Sequence, residues 1–189
     1  LGKHLVIKPS WEDFQAGTDD IVIELDPGMS FGSGNHPTTT MCLELLEKYI
    51  RGGESVYDIG TGSGILAIAA ALLGAGSVKA VDLDPVACAT ALENVKRNGV
   101  ADRVQVMQGD LLSSLHGKAD IIVANIIARV IAQLAADVVG RLAPRGIFIA
   151  SGIISEKVPE VIASLKNNGL SVIEQLESGD WVALVAQSS

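Results

Sequence analysis

Hydrophobic residues in this chain form short β-branched runs that alternate with longer segments of helical spacing. The runs predict seven strands, at 56–58, 77–81, 104–107, 120–124, 147–150, 170–174 and 181–185. The longer segments predict helices, at 37–50, 65–73, 86–98, 128–142 and 156–167. Regular alternation of strand and helix is typical of an α/β fold with a parallel sheet.

Both ends of the chain depart from this alternation. The strands at 170–174 and 181–185 are separated by little more than a turn, whereas a parallel connection needs about a dozen residues or more. We therefore expect the last two strands to pair antiparallel. At the other end, runs at 5–7 and 21–25 predict two short strands that lead into the main fold.

A glycine-rich turn directly follows the strand at 56–58. From Asp58 to Gly64 it has the form D-x-G-x-G-x-G, with Gly60 and Gly62 between them, and not the dinucleotide form G-x-G-x-x-G. Glycines let the chain reverse tightly and let a ligand lie against backbone amides. The Asp58 carboxylate would repel a pyrophosphate but would hold a cationic amino group. The pattern thus favours S-adenosylmethionine and resembles the cofactor loop of class I methyltransferases, with a ligand-free turn as the alternative.

Acidic residues also end the next two strands. In parallel sheets, ligands bind at the edge formed by the carboxyl ends of the strands. Asp82 can accept hydrogen bonds from both ribose hydroxyls, whereas Asp84 better suits a helix cap. The Asp110 carboxylate can accept a hydrogen bond from the adenine amino group, and Leu83 and Leu111 can pack against the faces of the ring. Alternatively, Asp110 only forms a turn.

Asn125 ends the fourth strand of the series. It is followed by Ile126 and Ile127, and not by the Pro-Pro-aromatic sequence of methyltransferases that act on amide or base nitrogens, so an amine acceptor is favoured. Methyl transfer mainly requires alignment and exclusion of water, without a metal or a covalent residue. No residue stands out as a general base, and the catalytic residues stay unknown. An Asn that satisfies its own turn is the alternative.

Composition narrows the class of protein. The 189 residues are 48% hydrophobic but only 4% aromatic, so the core must consist of Val, Ile, Leu and Ala, as in buried parallel sheets. The formal charge of −8 argues against non-specific phosphate binding, which needs a basic face, and favours a basic partner. Cys42 and Cys88 are lone cysteines, which we interpret as small core residues in a reducing compartment. No apolar run reaches the roughly 18 residues of a membrane span.

Four segments together resemble one family. The most specific is 26–39, Asp-Pro-Gly-Met-Ser-Phe-Gly-Ser-Gly-Asn-His-Pro-Thr-Thr, because the glycine turn alone is shared by many methyltransferases. The other three segments are the glycine turn, Asp-Leu-Asp-Pro at 82–85 and Val-Ala-Asn-Ile at 123–126. Together the four segments resemble the PrmA family, whose members methylate large-subunit ribosomal protein eleven. The resemblance implies an α/β, Rossmann-like class I methyltransferase fold. Its seven-stranded sheet would be mostly parallel, with an antiparallel C-terminal hairpin strand.

The resemblance also implies site residues. The positions that bind S-adenosylmethionine in the family are occupied here by Thr39, Gly60, Asp82 and Asn125. Phe31 and His36 lie in the segment that covers the cofactor in the family. Together with the residues argued above, the expected cofactor-binding set is Phe31, His36, Thr39, Asp58, Gly60, Gly62, Asp82, Leu83, Asp110, Leu111 and Asn125.

We therefore expect a lead-in with the cofactor-covering loop at 1–36 and one methyltransferase domain at 37–189. The implied function is S-adenosylmethionine-dependent methylation of lysine or N-terminal amino groups of a basic ribosomal protein in the cytoplasm, without metal, nucleic acid or membrane. The family has an N-terminal substrate-recognition domain and nothing precedes Leu1, so we expect cofactor binding with little methylation by this chain alone.

Three alternatives stay open. The chain could be an NAD-dependent oxidoreductase, although the glycine spacing and the terminal hairpin count against this. It could also be a methyltransferase-fold binding module with lost or weak catalysis. Finally, it could methylate another protein, a nucleic acid or a small molecule.

Overall fold

The computed structural model describes residues 3–26 and 36–188, and the predicted alternation of strands and helices is present in it. The strands are β1 (Leu5–Lys8), β2 (Ile21–Glu24), β3 (Ser55–Ile59), β4 (Ser77–Asp82), β5 (Val104–Gln108), β6 (Ala119–Asn125), β7 (Leu142–Ile154), β8 (Leu170–Ser178) and β9 (Trp181–Ser188). The helices are α1 (Pro37–Tyr49), α2 (Ile65–Leu72), α3 (Pro85–Arg97), α4 (Ala128–Arg141) and α5 (Val158–Asn167).

The seven later strands form one mixed sheet in the order β5-β4-β3-β6-β7-β9-β8. Strand β3 pairs parallel with β4 and with β6, so the carboxyl ends of these three strands lie side by side. Strand β9 is inserted between β7 and β8 and is antiparallel to both. The predicted C-terminal hairpin is therefore confirmed. Strands β1 and β2 form a separate two-stranded parallel sheet.

The largest extensions beyond the predicted strands are in β7 and β8. Strand β7 begins at Leu142, directly after α4, because the backbone there already pairs with β6 through Ala119. Pro144 and Gly146 end the helix as expected but lie within the extended segment. Strand β8 continues to Ser178 because β9 pairs with it on both sides of an irregularity between Val172 and Glu174. In both cases a neighbouring strand extends the structure beyond the hydrophobic run.

The sheet is covered by helices on both faces. Helices α1, α2 and α3 contribute to one core cluster, which also contains Leu5, Ile23 and Leu25 from the lead-in segment. Helices α4 and α5 contribute to the other, which includes Phe148. Both clusters consist almost entirely of aliphatic side chains, as the composition predicts. Packing on both faces leaves the carboxyl-end edge of β3, β4 and β6 as the place for a ligand.

The two cysteines differ in burial. Cys42 is buried in the core, as predicted, whereas Cys88 is only partly buried near the start of α3, and both are free thiols. None of the helices in the described ranges is long and apolar enough to cross a membrane.

Candidate functional site

The glycine turn reverses the chain between β3 and α2. Gly60, Gly62 and Gly64 have φ angles of +73°, +55° and +84°, a backbone region that disfavours other residues. The backbone N–H groups of Gly60 and Thr61 both donate to the Val81 carbonyl, at 2.9 and 3.0 Å. A Cβ atom at Gly60 would lie 2.7 Å from Ile126 Cγ2. Glycine is therefore required here by backbone angle and by space.

Asp58 lies beneath this turn and is completely buried. Its Oδ2 accepts hydrogen bonds from Thr61 Oγ1 at 2.6 Å and from the Ala67 N–H at 3.1 Å. Its Oδ1 has no hydrogen-bond partner among the described residues. Burial raises the pKa of this carboxyl group from its ordinary 3.8 to about 7. One oxygen thus braces the turn, and the other is a buried polar atom that a cationic group could satisfy.

Asp82 links the glycine turn to the start of α3. Its Oδ2 accepts a hydrogen bond from the Gly62 N–H at 2.9 Å, and its Oδ1 accepts one from the Asp84 N–H at 3.0 Å. Each carboxylate oxygen can accept a further hydrogen bond. Asp84 caps α3 by accepting a hydrogen bond from the Val86 N–H at 2.8 Å, so the helix cap predicted for Asp84 is observed.

A cavity of about 350 Å³ opens at the carboxyl ends of β3, β4 and β6; we call it the first cavity. Most of the predicted cofactor residues line it, namely Thr39, Gly60, Gly62, Asp82, Leu83, Leu111 and Asn125. The Leu83 side chain is 67% exposed, so its apolar surface is accessible at the mouth of this cavity. Leu111 has a φ of +49°, a strained angle for a side-chain-bearing residue at a cavity wall. The first cavity thus combines a polar turn with apolar walls.

Some predicted residues are not among those that line the first cavity. Asp58 is buried below it, and Asp110 is exposed at the start of the short 3₁₀ helix Leu111–Ser114. The Asp110 carbonyl accepts from the Ser113 N–H at 3.1 Å, as a turn residue would. Phe31 lies outside the described residues. His36 lies nearby, where it caps α1: its Nδ1 accepts from the Thr38 N–H at 3.3 Å.

A second cavity, of about 330 Å³, adjoins the first. It is lined by His36, Thr38, Asn125, Ile126, Ile127, Gly152 and Trp181. Asn125 and Ile126 line both cavities, so the turn after β6 separates them. The His36 and Trp181 rings meet edge to face with centroids 5.0 Å apart. The second cavity is therefore mainly apolar and borders residues predicted to bind the cofactor.

Sequence reasoning missed several residues of both cavities. In the first cavity these are Thr61, Ile65, Leu66, Val81, Ile126 and Val130, and in the second they are Thr38, Ile127, Gly152 and Trp181. The apolar ones look like ordinary core positions in the sequence. Gly152 gave a usable signal, because a glycine at the end of a strand often marks a close backbone approach. Within residues 3–26 and 36–188 no group of three or more His, Cys, Asp or Glu side chains could hold a metal ion.

Comparisons with known proteins agree with this geometry. A family model described as "Ribosomal protein L11 methyltransferase (PrmA)" matches residues 1–189. The chain is 60% identical over 186 residues to the ribosomal protein L11 methyltransferase of Pelotomaculum thermopropionicum, covering 98% of this chain and 60% of that relative. To the same enzyme of Heliobacterium modesticaldum it is 53% identical over 187 residues, covering 99% and 59%.

A solved structure shows the same fold. The crystal structure of ribosomal protein L11 methylase from Lactobacillus delbrueckii subsp. bulgaricus matches with a TM-score of 0.93 at 37% identity, covering 100% of this chain and 96% of that chain. The predicted fold class is therefore confirmed. The chain spans about 60% of the length of the curated relatives that it matches.

Proposed function

Because the chain belongs to the PrmA family of ribosomal protein L11 methyltransferases, we propose that it binds S-adenosylmethionine and methylates amino groups of that ribosomal protein. The observation that carries the proposal is the pair of adjoining cavities at the carboxyl ends of β3, β4 and β6. One has the polar and apolar groups that a charged nucleoside ligand needs. The other is an apolar cavity of a size that accepts an amine with an aliphatic stem.

The residues of the first cavity fit S-adenosylmethionine by their chemistry. Asp82 offers carboxylate oxygens to the two ribose hydroxyls, and Leu83 and Leu111 offer apolar surface to the adenine ring. The glycine turn offers bare backbone to the amino-acid part of the cofactor. Asp58 lies beneath this turn, and its buried Oδ1 has no hydrogen-bond partner among the described residues. A cationic ligand would stabilise the ionised form of that carboxyl group.

The second cavity suits the methyl acceptor. S-adenosylmethionine, when bound, supplies a methyl group on a positively charged sulfur. The acceptor amine must be neutral to use its lone pair, and deprotonating a lysine of pKa about 10.4 at pH 7 costs about 4.6 kcal/mol. Apolar walls such as Ile127 and Trp181 reduce this cost, because a desolvated amine favours its uncharged form. We propose that these walls also exclude water from the reacting nitrogen.

The protein partner and the cellular location are part of the same proposal. The formal charge of −8 favours a basic partner such as a ribosomal protein over nucleic acid. The two free cysteines fit a reducing compartment, and we propose the cytoplasm, where ribosomal proteins are made. We also propose that residues 1–36 act as a lead-in that covers the cofactor and that 37–189 form the methyltransferase domain.

Calorimetric titration tests the cofactor. We expect S-adenosylmethionine and S-adenosylhomocysteine to bind at one site with micromolar affinity and NAD not to bind at the same concentrations. Binding of NAD alone would replace the proposal by that of an oxidoreductase. Failure of all three ligands to bind to the folded chain would contradict it.

Methyl transfer is tested separately. Labelled methyl incorporation into purified ribosomal protein is compared for this chain and for a version extended by the N-terminal part of a longer relative. We expect little incorporation by the chain alone and more by the extended version, because positioning raises the effective concentration of the amine. Cofactor binding without transfer by either version would identify a binding module instead of an enzyme.

A further inference from the structure

The glycine turn is hydrogen-bonded to helix α3 through Asn94. This side chain is buried, with 2% of its surface exposed, and its Nδ2 donates to the Ser63 carbonyl at 2.8 Å. Ser63 lies between Gly62 and Gly64, whose φ angles are both positive. A Cβ atom at Gly64 would lie 3.1 Å from the Ala91 Cβ, so the turn and the helix are in close contact. Asn94 itself is not among the residues that line either cavity.

The bond from Asn94 fixes a part of the backbone that would otherwise rotate easily. Glycine has the widest backbone freedom of all residues, so a residue flanked by two glycines loses much entropy when a ligand orders it. Because the Ser63 carbonyl is already held, part of this entropy is lost on folding and not on binding. Preorganisation of this kind raises affinity without any contact between Asn94 and the ligand.

The Asn94 amide is in turn held by Arg97, about one turn further along α3. Arg97 Nη1 donates to Asn94 Oδ1 at 3.2 Å, so both ends of the amide are engaged. Arg97 Nη2 lies 2.8 Å from Asp26 Oδ2. The other oxygen of Asp26 accepts a hydrogen bond from the Ser10 N–H at 3.0 Å, in the connection between β1 and β2. A continuous chain of polar contacts therefore joins this connection to the glycine turn.

Asn98 offers a comparison, because it joins α3 to the same lead-in strand without reaching the turn. Its Oδ1 accepts from the Glu24 N–H and its Nδ2 donates to the Glu24 carbonyl, both at 2.8 Å. Its Nδ2 also donates to the Asn94 carbonyl at 2.8 Å. Among the described residues, none of the hydrogen bonds of this side chain involves the glycine turn. Asn98 thus stabilises the packing of β2 on α3 alone.

We propose, as an extension of the proposed function, that Asn94 and Arg97 are positioning residues that couple the packing of Asp26 to the cofactor affinity of the glycine turn. Both act through the turn and not through contact with the ligand. Asp26 holds Arg97, and Arg97 holds the Asn94 amide. The amide holds the Ser63 carbonyl in the conformation that receives the ligand. Coupling of this kind is reciprocal, so bound cofactor should also stabilise β1 and β2.

Asn94→Ala and Asn98→Ala separate positioning from stability. Both remove side-chain hydrogen bonds near the end of α3, so both should lower the free energy of unfolding in urea. We expect Asn94→Ala to weaken S-adenosylhomocysteine binding about tenfold in calorimetry, because the turn is no longer ordered beforehand. Asn98→Ala should stay within about twofold of the parent. Equal losses in the two variants, or unchanged affinity in Asn94→Ala, would overturn the inference.

Arg97→Met tests the same chain of contacts without a change in the core. The Arg97 side chain is 32% exposed, and methionine keeps much of its length but none of its bonds to Asn94 and Asp26. We expect S-adenosylhomocysteine binding to weaken about three- to fivefold, since the Asn94 amide loses the partner that orients it. Parent-like affinity in this variant would overturn the coupling, even if Asn94→Ala did not fold.

A double-mutant cycle on S-adenosylhomocysteine affinity tests the contribution of Asp26. Asp26→Asn keeps an oxygen for the Ser10 N–H and loses the ion pair with Arg97. We expect it to weaken binding about threefold in the parent but less than about 1.5-fold in Arg97→Met, because both changes break the same chain of contacts. Equal effects in the two backgrounds would mean that Asp26 does not act through Arg97, and the proposed path would be wrong.

Amide hydrogen exchange measures the reciprocal effect. With S-adenosylhomocysteine bound, exchange of the amides of β1, β2 and Ser10 should slow in the parent chain, and this added protection should be lost in Arg97→Met. Protection of the glycine turn without protection of β1 and β2 in the parent would contradict the coupling.

Failure of the inference is distinguishable from failure of the proposed function. If the parent chain binds no S-adenosylhomocysteine, the proposed function fails and the inference fails with it. If the parent chain binds it, and Asn94→Ala and Arg97→Met bind it equally well, the inference alone is wrong.

Discussion

The parallel half of the sheet and its antiparallel half contribute to the site in different ways. The first cavity is built mainly by the parallel strands β3, β4 and β6, from the backbone and short side chains of the turns that follow them. The second cavity takes Gly152 from the end region of β7 and Trp181 from the start of β9. These residues are far apart in sequence and meet only in the folded protein. The proposed cofactor site is thus assembled from turns that each follow a local sequence pattern, whereas the proposed acceptor site depends more on residues that β7 and β9 bring in.

This difference predicts where substitutions act. Changes in the turns after β3 and β4 should alter cofactor affinity with modest effects elsewhere. Changes in the residues from β7 and β9 should alter methyl transfer and leave cofactor affinity nearly intact. Three sets of variants test this separation, and we give them from the largest expected effect on ligand affinity to the smallest. A fourth variant, at Asp58, tests the burial beneath the glycine turn through stability.

The largest effect is expected for Gly60→Val. The new side chain would collide with Ile126 and occupy ligand space, so S-adenosylhomocysteine affinity should fall by about 100-fold or more, about 3 kcal/mol. The matched control is Gly99→Val, which has a similar positive φ of +67° but nothing within 4 Å of its Cβ position. The control should lose stability in thermal unfolding and keep its ligand affinity. Equal affinity losses in the two variants would remove Gly60 from the site.

Asp82→Ala should have the next largest effect. Loss of the ribose acceptor and of the bond to the Gly62 N–H should weaken S-adenosylhomocysteine binding by about 1 to 3 kcal/mol. Asp84→Ala is the control, since it removes the α3 cap and should cost about 1 kcal/mol of stability without a comparable loss of affinity. Calorimetry and urea unfolding on both variants measure the two quantities. Unchanged affinity in Asp82→Ala would show that the carboxylate does not hold the ligand.

Asp58 predicts a pH dependence of stability. Its pKa is raised to about 7 in the folded protein, so between about pH 4 and pH 7 the folded state binds more protons than the unfolded state. The stabilisation that this group gives to the folded state is therefore complete below about pH 4 and is lost as the pH rises through 7. Relative to Asp58→Asn, the unfolding free energy of the parent should fall by about 1 to 3 kcal/mol across this range. Parallel pH profiles from urea denaturation would contradict the assignment.

Trp181→Leu should have the smallest effect on cofactor affinity. The side chain lines the second cavity and contacts the His36 ring, but it is not among the residues that line the first cavity. S-adenosylhomocysteine affinity should stay within about twofold, whereas peptide binding to that complex should weaken about five- to tenfold through lost apolar contact. A large loss of S-adenosylhomocysteine affinity would mean that the two halves of the site are not separable in this way.

The same division explains what the sequence could predict. The glycine turn, Asp82 and the cap at Asp84 follow from short local patterns, although the hydrogen bonds of the glycine turn reach across to Val81 and Asp82 at the end of β4. The antiparallel hairpin was predictable from the length of a connection. These features depend on neighbouring residues or on simple chain geometry.

Other features depend on packing that no local pattern reveals. The sequence predicts that the Asp58 carboxylate holds a cationic amino group, but it does not show that the side chain is completely buried and that this burial raises its pKa. The extra length of β7 comes from pairing with β6 and not from its own hydrophobic run. Trp181 joins the site because β9 is inserted beside β7. Each depends on a partner distant in sequence.

The most direct test of the account is a crystal structure of the chain with S-adenosylhomocysteine. We predict the ribose hydroxyls on Asp82, the adenine ring between Leu83 and Leu111, and the sulfur atom facing the second cavity beside Asn125. Density for the ligand in the first cavity with the sulfur atom turned away from Asn125 would contradict the acceptor assignment. Density outside the first cavity would contradict the cofactor site itself.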